Sequence, residues 1–102
     1  MDAMADWKFL TNHAHVLESI AREPGIRLRD IALRVDITER AAHRIVAELE
    51  ADGYLTRHKV GARNFYEVHP DEPLRHPTEP DLSIGDLLRL FVARDDRRNS
   101  ES

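Results

Sequence analysis

Between Ile37 and Val68 the chain reads ITERAAHRIVAELEADGYLTRHKVGARNFYEV, and this stretch narrows its fold most. Ala42, Ile45, Val46 and Leu49 recur at helical spacing, so its first half is one amphipathic helix with Ile37 as a lead-in anchor. Thr38 is a good N-cap, and Glu39 sits in the first turn, where the helix dipole favours an anion. Asp52-Gly53 closes the helix. The period then changes. Tyr54, Thr56, Val60, Phe65, Tyr66 and Val68 are residues that strands prefer, and Gly61-Ala62-Arg63 joins two strands, Tyr54–Val60 and Asn64–Val68, into a hairpin. Two strands alone are marginal, so the hairpin must lie on helices or pair with another segment.

The flanking sequence supplies those helices. Thr11 or Asn12 caps a first helix that runs to Arg22 with Val16, Leu17, Ile20 and Ala21 as its buried stripe. Pro24-Gly25 ends it, the glycine accepting a left-handed turn. Ile26-Arg27-Leu28 reads as a one-rung strand, and Leu28 to Val35 as a second helix with Leu28, Ile31, Ala32 and Val35 on one face. Asp36-Ile37-Thr38 makes the turn into the third. The order α-β-α-α-β-β-α predicts a mainly α fold with a small β-hairpin (α+β), a winged helix-turn-helix over residues 1–68. Pro70, Pro73, Pro77 and Pro80 then forbid a helix and favour an extended strap over residues 69–82. Ser83, with Asp86 as capping-box partner, starts a last amphipathic helix over residues 83–94; residues 95–102 read as a frayed tail.

A chain of 102 residues can bury a working core without staples. The absence of cysteine excludes disulfides, thiolate zinc sites and cysteine nucleophiles. No apolar run approaches the ~20 residues that span a bilayer, and the start MDAMADWKF lacks the pattern of a secretory signal, so a cytoplasmic protein without membrane contact is expected. The net charge of −4 conceals its distribution. From Glu67 onward nine acidic residues face five basic ones, whereas the body up to Tyr66 carries ten of each sign. Arg57, His58, Lys59 and Arg63 have no acidic residue among them, and a local basic patch is all that a nucleic-acid face requires.

The run DIALRVDITERAAHRIVAELEADGYLTR, followed by GARNFYEV, resembles the DNA-binding core of the MarR and ArsR type winged-helix transcriptional regulators. It is especially similar to short bacterial proteins that begin with a TNHAHVL-like helix and end with a GDLL-like one, here Thr11 to Leu17 and Gly85 to Leu88. The resemblance implies a sequence-specific regulator that binds double-stranded DNA as a homodimer; the alternative is a winged-helix module that binds another protein. Relatives favour glycine where this chain has Asp36, a residue that tolerates the left-handed region better than most.

With the apolar stripe turned inward, the third helix presents Thr38, Glu39, Arg40, Ala41, His43 and Arg44 outward, and this N-terminal part of a recognition helix enters the major groove. Arg40 and His43 are the candidates for reading base edges, and Ala41 for a thymine methyl. Thr38 and Arg44 suit phosphate oxygens. Arg57, Lys59 and Arg63 flank the wing, Arg63 at its tip facing the minor groove or backbone, with Asn64 organising the turn or touching the backbone. The plainer readings are solvated helix charges, with Glu48 four residues past Arg44, and edge-strand cations that block aggregation.

Six histidines invite a metal, yet His13 and His15 diverge on a helix and His69 and His76 fall in the strap, so neither a metal nor another cofactor is expected. No nucleophile–base pattern or phosphate-binding glycine loop suggests an enzyme. Trp7 and Phe9 before the first helix, and Ile84, Leu87, Leu88 and Phe91 on the last, are the candidate dimer contacts; Leu90 and Val92 widen that stripe. Packing of the last helix on its own domain is the other reading. The effector is unknown.

Overall fold

The expected inner stripes meet in a single core. Val16, Leu17 and Ile20 from the first helix, Ile31 and Ala32 from the second, and Ala42, Ile45, Val46 and Leu49 from the third are all buried; Ala21, expected among them, is exposed. The computed structural model describes residues 8–100. Its elements are α1 (Asn12–Arg22), α2 (Leu28–Val35), α3 (Glu39–Ala51), β1 (Leu55–Val60), β2 (Arg63–Val68) and α4 (Ile84–Ser100). Each fully buried Ile or Leu removes enough apolar surface from water to contribute about 1.5–3 kcal/mol, so the shared stripe is a strong tie between these three helices. Tyr54, Leu55 and Tyr66 bring the hairpin onto the same core.

The turn between α2 and α3 is set by Asp36, which adopts φ 63° and ψ 51° and ends α2 in the left-handed region. Thr38 Oγ1 then accepts from the Ala41 amide at 3.0 Å, satisfying one of the free donors in the first turn of α3. At the other end, Gly53 at φ 88° lets the chain reverse into β1, with Tyr54 N–H donating to Leu49 O at 2.9 Å.

The winged helix-turn-helix is present, but its first strand is reduced. The strand expected at Ile26-Arg27-Leu28 does not form, and the described sheet has two strands. One backbone bond, Tyr66 N–H to Pro24 O at 3.0 Å, attaches the hairpin to this segment instead. Leu28 has already entered α2, leaving too few extended residues for a ladder. Gly25 is not left-handed either, since the positive-φ glycines are Gly53 and Gly61. What demands glycine there is close approach: a Cβ would sit 2.6 Å from Phe65 Cε1.

The proline-rich stretch runs without helix from the hairpin to α4, but it doubles back, with Pro73 and Ser83 forming an isolated antiparallel bridge. Glu72 O and Pro70 O accept from the Ile84 and Gly85 amides at 2.8 and 2.9 Å, and Tyr54 Oη donates to Pro73 O at 2.6 Å. Ser83 and Asp86 cap α4 reciprocally: the Ser83 amide donates to Asp86 Oδ2 at 3.0 Å and the Asp86 amide to Ser83 Oγ at 3.3 Å. The helix continues to Ser100, past the Arg94 at which the sequence pattern ended it. Arg22 of α1 reaches Asp95 Oδ1 at 3.1 Å, a contact beyond the apolar stripe that ties this last stretch to the body.

Candidate nucleic-acid interface

Four of the cations in residues 12–68 are neutralised by carboxylates. Arg22 pairs with Glu18 and Asp95, Arg34 with Glu23 at 3.2 Å, Arg44 with Glu48 at 3.6 Å and Arg57 with Glu50 at 3.6 Å. Arg27, Arg29, Arg40 and Lys59 have no such partner among the described residues, and all four are exposed. They lie at the N-cap and first turn of α2, on the first turn of α3 and on β1, so the unneutralised charge gathers around the start of α3 and the wing. Coulomb attraction for a polyanion is strongest where no internal carboxylate competes.

The residues expected on the outer side of α3 differ in exposure. Thr38, Arg40, His43 and Arg44 are exposed and Ala41 is half-buried. Thr38 uses one lone pair for the cap and keeps its hydroxyl proton to donate. Arg44 is drawn toward Glu48, which also accepts from His13 Nε2 of α1 at 2.7 Å. That imidazole, with Arg44 beside it, holds the Glu48 carboxyl below the usual carboxylate range.

The wing has two faces. The register Leu55↔Val68, Arg57↔Tyr66, Lys59↔Asn64 puts these residues on the side turned to the helices, since Leu55 and Tyr66 are buried. Burial pushes the Tyr66 phenol above its usual value. Val60, Arg63, His58 and Phe65 share the other face. Arg63 opens β2 and folds back onto the body, its guanidinium donating to Gly25 O and lying 5.5 Å from the Phe65 ring centroid. It therefore does not stand free at the tip.

Two contributors escaped the sequence pattern. Arg27 and Arg29 line a cleft of about 540 Å³ together with Glu39, Ala62, Arg63, Asn64 and Tyr66. The signal was present as two cations flanking Leu28, but only the fold brings them opposite the hairpin turn. At the far end of α3, Glu48, Leu49 and Asp52 border a more apolar groove of about 630 Å³ that Phe9, Leu74 and Leu87 also line.

Of the candidate dimer contacts, Ile84 is 5% exposed and belongs to the chain's own core. Leu87, Leu88 and Phe91 are half-buried, Phe9 is exposed, and Trp7 lies outside the described residues. Histidines 13, 58, 69 and 76 contact Glu48, Glu67, Thr56 and Thr78 respectively. Among the described residues no group of three or more His, Asp or Glu side chains is placed to hold a metal ion, and no helix is long and apolar enough to cross a membrane.

The sequence pattern of the MarR family matches residues 9–63, a span that covers α1, α2, α3, β1 and the hairpin turn. The chain belongs to the MarR family. It is thus a winged-helix protein of a family of transcriptional regulators, and the matched residues contain most of the surface just described. The chain is also similar to the LexA repressors of Thermosipho africanus (strain TCF52B) and Thermosipho melanesiensis (strain DSM 12029 / CIP 104789 / BI429). Each is 33% identical over 69 residues, which are 68% of this chain and 35% of the relative. The aligned stretch thus spans about a third of the length of these relatives.

Proposed function

We propose that this MarR-family chain is a sequence-specific DNA-binding transcriptional regulator acting as a homodimer. In this reading the N-terminal half of α3 enters the major groove and the wing lies along the neighbouring backbone. The observation that carries it is the segregation of unneutralised charge: Arg27, Arg29, Arg40 and Lys59 surround the start of α3 and the wing, while the cations elsewhere in residues 12–68 hold carboxylates or, for Arg63, a carbonyl. The likeness to two proteins named as repressors supports the same reading.

Roles follow from position. Arg40 and His43 read base edges and Ala41 meets a thymine methyl. Thr38, Lys59 and Asn64 hold backbone oxygens, and Arg44 and Arg57 reach phosphate by exchanging their carboxylates for it. One recognition helix covers few base pairs, so a two-fold dimer on inverted half-sites supplies the specificity. Its contacts are Leu87, Leu88 and Phe91 of α4, extended by Leu90 and Val92, which are 67% and 56% exposed.

The test is a mobility-shift titration against genomic fragments at two salt concentrations, followed by selection of bound duplexes from a random pool. Binding that weakens steeply with salt and selects an inverted repeat is expected; absent binding, or binding indifferent to salt, overturns the reading. Arg40→Ala should relax preference at one base step per half-site, at a cost of ~1–3 kcal/mol for a bidentate contact.

A further inference from the structure

Several contacts pin the hairpin to the turn between α1 and α2. The Tyr66 amide donates to Pro24 O at 3.0 Å, and the Arg63 guanidinium donates to Gly25 O. The Phe65 ring lies so close to the Gly25 Cα that no side chain fits between them, and Arg63 stacks over that ring at 5.5 Å. To reach a phosphate, Arg63 would have to give up both the carbonyl and the ring. Arg27 and Arg29 face no such loss. They are exposed, hold no ion pair among the described residues, and line the cleft that the hairpin turn borders. Glu39 is the one carboxylate in that lining, against three guanidinium groups.

We propose that the backbone phosphates beside the wing are held by Arg27 and Arg29, and that Arg63 is a positioning residue that latches the wing onto the Pro24-Gly25 turn. The first half rests on the DNA-binding reading above; the latch does not. A phosphodiester entering the cleft gains two cations from the start of α2, while Asn64 and the hairpin turn close its other wall. The wing holds this wall in place only while Arg63 and Phe65 keep it against Gly25.

The full-length chain, titrated by fluorescence anisotropy against a labelled duplex of mixed sequence over a sodium chloride series, separates the two roles. Arg27→Ala and Arg29→Ala should each lower the slope of log affinity against log salt by about 0.9 per bound protomer, the signature of a lost phosphate contact. Arg63→Ala and Phe65→Leu should leave the slope unchanged and weaken binding roughly two- to tenfold at every salt concentration. A slope that falls with Arg63→Ala and stays constant with Arg27→Ala and Arg29→Ala overturns the assignment. Hydrogen exchange reads the latch without DNA: exchange of the Tyr66 amide should accelerate in Arg63→Ala and stay at the parent rate in Arg27→Ala. Unchanged protection in Arg63→Ala overturns the latch. A parent chain that fails to bind the duplex defeats the DNA reading instead, and leaves the exchange result standing.

Discussion

Thr38 holds the first turn of α3 through one hydroxyl, so removing that hydroxyl should loosen the start of this helix. Thr38→Ala should lower unfolding free energy by about 1 kcal/mol in a urea titration, the usual value of a lost N-cap. Asp36 sits two residues earlier at φ 63°, where β-branched side chains are strained. Asp36→Val should therefore cost about 1–2 kcal/mol, whereas Asp36→Gly should stay close to the parent; equal losses would show that the side chain, not the backbone, matters. Glu48 gives a pH signature. Its folded carboxyl is held low by His13 and Arg44, so its contribution is complete above the ordinary carboxylate range and is lost as pH falls through the lowered value. Melting curves of Glu48→Gln should lack the part of the decline that sets in as pH falls below the ordinary carboxylate range. These positions were legible to different degrees. The cap and Asp36 were readable because each acts on its own backbone. The pairing of His13 with Glu48 joins residues 35 positions apart, and nothing local announces it.

Among the elements, the helices were readable and the small strand was not. Periodicity placed α2 and α3 because their buried faces repeat every three or four residues, and it missed the end of α4 because its last turns are polar. The Arg22–Asp95 pair that anchors those turns depends on tertiary proximity. The expected strand at Ile26 failed for a related reason, since a single strand residue carries no period. The site divides in the same way. The outward face of α3 followed from its inward stripe, but the pairing of Arg57 with Glu50, the retraction of Arg63 and the arrival of Arg27 and Arg29 all required the hairpin's placement on the helices. The hairpin depends on that support. Ile45→Ala, at a fully buried position of α3, should cost about 2–5 kcal/mol, with helix and hairpin signals lost together in thermal denaturation.

At the scale of the whole molecule, α4 is half committed. Ile84 fills the core, the Arg94 guanidinium lies 5.3 Å from the Phe91 ring, and Leu90 and Val92 remain outside on either flank. Leu90→Glu should convert a dimer to a monomer in light scattering while leaving the monomer's melting cooperative, because no buried contact is removed; an unchanged mass would exclude this flank from the interface. The proline segment has a bearing on such a dimer. Tyr54 Oη holds Pro73, Arg75 at φ 73° reaches Asp52 at 2.7 Å, and the Ile84 and Gly85 amides close on Glu72 and Pro70. The end of α3 and the start of α4 are thereby clamped to one short stretch of chain. In a dimer joined through α4, this stretch is the gauge that sets how far apart, and at what phase around the duplex, two copies of α3 are presented. Residues inserted between Pro77 and Pro80 lie beyond the clamp and should leave that gauge unaltered, whereas a residue inserted between Val68 and Glu72 should change the half-site spacing the dimer selects.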